Sequence, residues 1–361
     1  MKTCYLIGKI AALGENRILH CCSSTVYLGA PVACEFSYGD DFPLEAYKRS
    51  VLELHKLNNS DSPPCGGCAH LIETPDETIP EFTYFTSIVI GCNLCNFSCI
   101  YCSYKNGDYE QGKKERASIK PTLQNMLDLG IINNNTLVDW GGGEVTVNKS
   151  CHEVVQFLVE NGLFQNINTN ASVFSADLEK ALKIKKTSMQ ISVDSGTAPV
   201  FKKVKGRDCH EQVWENIKKY CNANSDLVTI KYIVLPENWD TGEFEAFVKN
   251  CVCSGVKNVR ITAEYKAFYN GVYEDMLRKM AELLSISYAN GLNVYVDKVQ
   301  FNEKQLAYYN SLAIPSIIKR IEDTQGELQN AKNQVFALQK SISWKITKPL
   351  RSARRLFAKG K

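Results

Sequence analysis

The fifteen cysteines of this 361-residue chain offer the most chemistry, and they come in groups. Six lie between Cys4 and Cys68, four between Cys92 and Cys102, and five are scattered beyond. In the second group Cys95, Cys99 and Cys102 are spaced C-x3-C-x2-C. Three thiolates on one tight loop bind three irons of a cubane and leave the fourth iron open to chelate another molecule. Zinc held by Cys92, Cys95, Cys99 and Cys102 is the competing reading, because a structural zinc takes four ligands. In the first group Cys21, Cys22, Cys34, Cys65 and Cys68 are candidate ligands of a second metal. Cys65-Gly66-Gly67-Cys68 is the firmest pair among them.

A disulfide scaffold does not suit these cysteines. Such scaffolds are short and secreted, and the apolar run before Gly8 is too short for a signal peptide. No apolar stretch reaches the roughly 18 residues of a membrane span. A reducing cytoplasm is therefore expected. Hydrophobic residues make up 44% and charged residues 22%, a composition that excludes a largely disordered chain. The net charge of +3 gives no reason to expect nucleic acid. After Leu328, however, there are nine Lys or Arg and no acid, so the basic character belongs to a tail.

The elements that must position the thiols fall in four regions: 1–80, 81–300, 301–340 and 341–361. In the first, short β-like runs (Cys4–Ile10, Arg17–Cys21, Thr25–Leu28) precede a helical pattern at Leu44–Leu57. In the second, strands are expected at Tyr84–Ile90, Thr136–Trp140, Gln165–Thr169, Met189–Val193, Leu227–Leu235, Asn258–Thr262 and Asn293–Val296. Helical patterns lie between them, among them Cys151–Asn161, Glu211–Tyr220, Glu243–Cys251 and Tyr273–Asn290. This alternation implies right-handed βαβ units and a parallel sheet. With no dinucleotide glycine fingerprint after the first strand, a full or partial β/α barrel is favoured, with its chemistry at the C-terminal strand ends. An apolar heptad stripe over 314–342 suits a partner helix or a second copy of the chain.

The candidate residues obey the strand-end rule. After Tyr84–Ile90 comes the cysteine loop, with Tyr101 inside it. After Thr136–Trp140 comes Gly141-Gly142-Gly143-Glu144, where glycine lets the backbone approach a ligand and the carboxylate accepts from a cationic group. Asn170 ends the third strand. Ser192 and Asp194 end the fourth, and strand alternation places them on one face. Lys202, Lys203, Lys205 and Arg207 follow; any one of them is more simply a solvated charge. Lys231 and Arg260, charges inside later strands, need partners and are candidates for ligand or substrate contact.

Over residues 84 to about 300 the sequence resembles the radical S-adenosylmethionine superfamily, on C-x3-C-x-aromatic-C (Cys95, Cys99, Tyr101, Cys102) and the Gly-Gly-Glu motif. The resemblance implies a partial (β/α)6-type barrel, preceded here by a small Cys-rich β/α domain and followed by a helical tail. It implies a [4Fe–4S] cluster and S-adenosylmethionine, whose sulfonium is cleaved to a 5′-deoxyadenosyl radical. Gly142, Gly143 and Glu144 would hold the amino group of S-adenosylmethionine. Asn170 matches a Thr-Asn-Gly pattern in which Ala171 replaces the glycine. Ser192 and Asp194 would contact ribose and carboxylate. An electron donor such as flavodoxin or ferredoxin is implied, and an auxiliary cluster is a further implication for the N-terminal cysteines, with zinc the alternative. The catalytic residues stay unassigned.

Residues 341–361, from Ser341-Ile342-Ser343-Trp344-Lys345, resemble the tails of bacterial surface-polysaccharide glycosyltransferases. Aromatic and apolar residues interleaved with cations there suit an anionic membrane surface. The expected function is therefore radical chemistry on a small-molecule or glycan-linked substrate in envelope assembly, in the cytoplasm or on the inner membrane face. Radical maturation of a peptide, or a metal-bound scaffold recruiting glycosyltransferases, are the alternatives.

Overall fold

The computed structural model describes residues 1–14, 16–21, 31–68, 70–75, 81–92, 94–102, 117–264, 268, 273–298 and 301–313, with isolated positions 315, 317, 326 and 329. Seven strands form its centre: β6 (Ser87–Gly91), β7 (Leu137–Gly141), β8 (Phe164–Thr169), β9 (Thr187–Ser192), β10 (Val228–Val234), β11 (Asn258–Ala263) and β12 (Asn293–Val296). Each pairs in parallel with the next, so spatial order follows chain order. All seven strands expected from the sequence are present, shifted by at most three residues at an end. The sheet is open: β12 forms one edge, giving the partial barrel that alternation predicts.

Order without reversal has a physical consequence. Every right-handed crossover lands on the same face, so the helices α3 (Lys149–Glu160), α4 (Ala176–Lys183), α6 (His210–Asn224), α7 (Thr241–Cys253) and α8 (Tyr273–Ala289) cover one side only. The covered face is mainly apolar: Ile88, Ile90, Val138, Trp140, Ile167, Met189 and Ile191 are all buried, with Gln165, Thr169 and Thr187 the polar exceptions on β8 and β9. The residues between them, half-buried, face the lumen. Ser87, Asp139, Asn166, Asn168, Ser188, Gln190, Ser192, Thr229, Lys231 and Arg260 make that face polar. Barrels of this kind usually fill their interior with branched apolar side chains; this one lines it with hydrogen-bonding groups.

The N-terminal region joins the same sheet. β2 (Ile10–Leu13) pairs in parallel with β6, and β3 (Arg17–Leu19) and β4 (Val32–Glu35) extend it antiparallel. A two-stranded ribbon of β1 (Lys2–Cys4) and β5 (Leu71–Glu73) lies apart. The single strand expected at Cys4–Ile10 is thus two, separated by a turn in which Ile7 N–H donates to Cys4 O and Gly8 takes φ 72°. Thr25–Leu28 falls outside the described residues. Helix α1 (Leu44–Asn58) carries Tyr47, which packs against Phe42, Phe82 and Phe85 at centroid distances of 5.5, 5.4 and 5.1 Å. That aromatic cluster fastens the N-terminal region to the start of β6.

Three short helices escape the periodicity reading: α2 (Lys120–Asp128), α5 (Ala198–Lys205) and, at eight residues, α4. Two turns of helix show too few apolar repeats to register. Residues 303–313 are helical; most of the 314–342 heptad stripe and all of 341–361 lie outside the described residues. Among the described residues no helix is long and apolar enough to cross a membrane.

Candidate active site

The cysteine loop leaves β6 at Gly91 and is pinned along its length. Ser98 N–H donates to Lys205 O (3.1 Å) and Ile100 N–H to Val204 O (3.0 Å), so the loop lies against the C-terminus of α5. Gly206, at φ 70°, permits that approach: a Cβ there would stand 2.1 Å from Ser98 Oγ. Cys95, Cys99 and Cys102 are half-buried, and each acts electrostatically on its neighbours. Burial pushes the Cys95 thiol up to about 11. It raises Cys99 too, against the opposing pull of the Lys205 ammonium.

Cys92 stands elsewhere. It is buried, its N–H donates to Gly142 O (3.1 Å), and its Sγ accepts from Cys151 Sγ at 2.9 Å. The zinc reading that enlists Cys92 as fourth ligand therefore loses that thiol. Among the described residues, moreover, no three Cys, His, Asp or Glu side chains stand close enough to share one ion. A single zinc needs such convergence. A cubane takes one thiolate per iron, so its ligands stand apart. Three thiols without a fourth on one strand-end loop suit the cluster better than the ion.

Lys205, expected in the solvated charge cluster, is instead 1% exposed and forms an ion pair with Asp194, itself fully buried. Tyr101 Oη donates to Asp194 Oδ2 (2.5 Å) and accepts from Lys205 Nζ (2.7 Å), and Ile233 N–H donates to Asp194 Oδ1 (2.7 Å). Two expectations are corrected here. Asp194 does not share the face of Ser192: β9 ends at Ser192, and Asp194 leaves the strand at φ 56°. Its carboxylate and the Tyr101 hydroxyl are engaged with each other and with Lys205, so they brace the loop. The cue for Lys205 was its place three residues past a Pro-started helix turn, but no periodicity marks it as buried.

The Glu144 carboxylate, expected as an acceptor for a cationic group, is occupied by the protein itself. Glu144 is 1% exposed, and its two oxygens accept from Thr146 N–H (3.1 Å), Thr146 Oγ1 (2.7 Å), Thr169 Oγ1 (2.6 Å) and Asn170 N–H (2.5 Å). Burial raises its pKa and those bonds oppose the rise. The carboxylate ties the end of β7 to the end of β8. Its backbone N–H donates to Leu94 O in the cysteine loop (2.6 Å). Gly142 and Gly143 take φ 65° and 73°, a pair of left-handed residues that only glycine adopts without strain. Among the described residues no hydrogen bond engages the Gly143 backbone.

Asn170 sits against the loop, its Nδ2 donating to Asn96 Oδ1 (2.9 Å) and lying 4.0 Å from Cys95 Sγ. The next residue, Ala171, is fully buried at φ 53°. An L-residue pays roughly 1 kcal/mol there. Ala171→Gly should therefore keep or raise stability, by up to about 1 kcal/mol, in urea unfolding; a clear loss would show that methyl packing outweighs the strain. Ser192, half-buried on the lumen face, has no side-chain hydrogen bond among the described residues.

The N-terminal thiols gather at a second place. Cys4, Cys21, Cys65, Cys68, His20 and His70 line one cavity. Cys4 was not foreseen; β1 brings it there by pairing Cys4 with Leu71, just after Cys68. Cys34, expected among the ligands, does not line the cavity, and Cys22 lies outside the described residues.

An open parallel barrel that presents three thiols at the end of its first strand, above a polar lumen, is the frame of an iron–sulfur enzyme. Residues 89–248 match the model of the radical SAM superfamily, so this part of the chain is a radical SAM domain. Members of that superfamily are enzymes that use a [4Fe–4S] cluster and S-adenosylmethionine, and both cofactors therefore belong to this domain. A probable GTP 3',8-cyclase of Sulfurisphaera tokodaii is 21% identical over 226 residues, covering 62% of this chain and 69% of that protein. A GTP 3',8-cyclase of Klebsiella pneumoniae is 26% identical over 149 residues, 40% of this chain and 44% of that one. The chain thus spans under half of the Klebsiella relative. Streptococcus suis SuiB bound to precursor peptide SuiA matches in structure with a TM-score of 0.49 and 14% identity, over 80% of this chain and 61% of that one. A score below 0.5 carries no argument about function.

Proposed function

We propose that this chain cleaves S-adenosylmethionine reductively at a cluster held by Cys95, Cys99 and Cys102. The observation that supports the reading best is the placing of those three thiols on one strand-end loop braced by Val204 and Lys205, while the Cys92 sulfur is engaged by Cys151 and its amide by Gly142. When bound and reduced by a donor such as flavodoxin or ferredoxin, the cluster supplies the electron that yields a 5′-deoxyadenosyl radical. The chain's own residues orient and hold. Gly143 offers an unengaged carbonyl to the amino group, and Ser192 a hydroxyl to the ribose or carboxylate. Asn170, Glu144, Tyr101 and Asp194 keep the loop and the strand ends in place around them. Lumen side chains receive the substrate.

Cys65, Cys68, Cys21 and Cys4 are proposed as ligands of a second metal, from the cavity they share. A glycan-linked substrate and contact with an anionic membrane are finer readings that rest on residues 341–361 alone. The test is anaerobic reconstitution of the full chain with iron and sulfide, reduction, and assay of 5′-deoxyadenosine. Product is expected, with about four irons per chain, or about eight where the second site also holds a cubane. A fully loaded protein that makes no product defeats the reading.

A further inference from the structure

The lumen face carries a cation without a partner. Ser192, Lys231 and Arg260 lie in one register row across β9, β10 and β11, as Ser192 pairs with Lys231 and Lys231 with Arg260. Arg260 is already committed on two sides: Nη2 donates to Asp297 Oδ2 (2.6 Å) and Nη1 to Gln190 Oε1 (3.0 Å). Its third donor, Nε, is buried and has no hydrogen-bond partner among the described residues. Asp194 is matched by Lys205, as described. Lys231 remains. Among the described residues no hydrogen bond or ion pair engages its ammonium, although Asp194, Lys205 and Arg260 all act on it electrostatically. Lys231 is half-buried on this face, and desolvation lowers its pKa while Asp194 opposes the fall.

A half-buried cation without an ion-pair partner and a buried N–H donor without an acceptor are each unfavourable on their own. Placed side by side on neighbouring strands, they match one oxyanion, which would accept from both. We propose that Lys231 Nζ and Arg260 Nε form the receptor for an oxyanion, a phosphate or carboxylate, carried by the substrate. The word substrate rests on the radical SAM reading; the oxyanion site does not. A carboxylate on S-adenosylmethionine itself is the other source of such a group, and the experiment separates the two.

The full chain with its cluster reconstituted is titrated calorimetrically with inorganic pyrophosphate as probe, and separately with S-adenosylmethionine. Saturable pyrophosphate binding is expected, weakened roughly tenfold by Lys231→Met and kept by Lys231→Arg, as loss of one charge-assisted hydrogen bond implies. Arg260→Lys, which keeps the charge facing Asp297 but removes Nε, should weaken it too. S-adenosylmethionine affinity should be unchanged in all three variants. Lys231→Met should also unfold no earlier than the parent, because it removes a half-buried charge that makes no ion pair; a residue with a merely structural role would lose stability. Absence of pyrophosphate binding, or binding indifferent to Lys231→Met, overturns the proposal. A loss of S-adenosylmethionine affinity in Lys231→Met overturns it as well, since the anion would then be the cofactor's own. Pyrophosphate binding in a parent protein that makes no 5′-deoxyadenosine would uphold the oxyanion site and reject the radical reading.

Discussion

Cys99→Ala should reduce 5′-deoxyadenosine formation to background, while Cys92→Ala leaves it measurable. The two residues sit on the same loop, so sequence proximity does not separate them; geometry does. Cys99 is half-buried beside Lys205 and within electrostatic reach of Cys102. Removing its sulfur leaves two thiolates, too few to hold a cubane with one open iron. Cys92 is buried, with its sulfur against Cys151 and its amide on Gly142. Its loss removes a small apolar group and one weak S–H contact, a cost of about 1 kcal/mol. Iron content, measured beside product, should fall in the first variant and hold in the second. Equal loss in both would return Cys92 to the ligand set and revive a four-thiolate site.

The second large effect is on stability. Lys205→Met should cost about 3–5 kcal/mol in urea unfolding of the full chain, the usual result of removing one partner from a buried ion pair. Asp194 would then lie fully buried, with the Tyr101 hydroxyl and the Ile233 amide donating to it and Lys231 within electrostatic reach but not bonded. The stem of methionine fills much of the same space, so the loss is electrostatic and not a cavity effect. The companion variant Lys205→Met with Asp194→Asn should recover most of it, because the orphaned charge is gone. A single-variant loss below about 1 kcal/mol, or no recovery in the double variant, would show that the pair contributes little. Since Tyr101 shares the network, the single variant should also load iron poorly.

The strands and the long helices were legible because burial on one face writes itself as alternation. Val138 and Trp140 are buried while Leu137, Asp139 and Gly141 are not, and α3 to α8 fit between such runs. Cys95, Cys99 and Cys102 were legible as local spacing on one loop. What was not legible depends on distance across the fold. Lys205 reads as one more cation in a basic stretch until α5 folds it under Tyr101. Asp194 reads as a strand residue until its positive φ turns it inward. The Glu144 carboxylate reads as an acceptor for a cation until Thr146, Thr169 and Asn170 bond it. Cys4 reads as an isolated thiol until β1 pairs with β5. The same composition that hid these braces did carry a cue to the lumen: Asp139, Asn166, Asn168, Ser188, Gln190 and Ser192, alternating with buried residues along β7 to β9, are poor material for a packed core.

The parallel register of β2 with β6 bears on how the chain is made. On the ribosome each of β7 to β12 emerges next to a strand already present, and can dock as it leaves the tunnel. β2 has no such neighbour. Ile10 must wait for Ser87 before its backbone finds a parallel partner, and Lys2 must wait for Glu73. Pairing across such intervals is slow. The N-terminal thiols therefore spend the early part of synthesis on an undocked segment, and the cavity that Cys4 shares with Cys65 and Cys68 forms only after β5 has been translated.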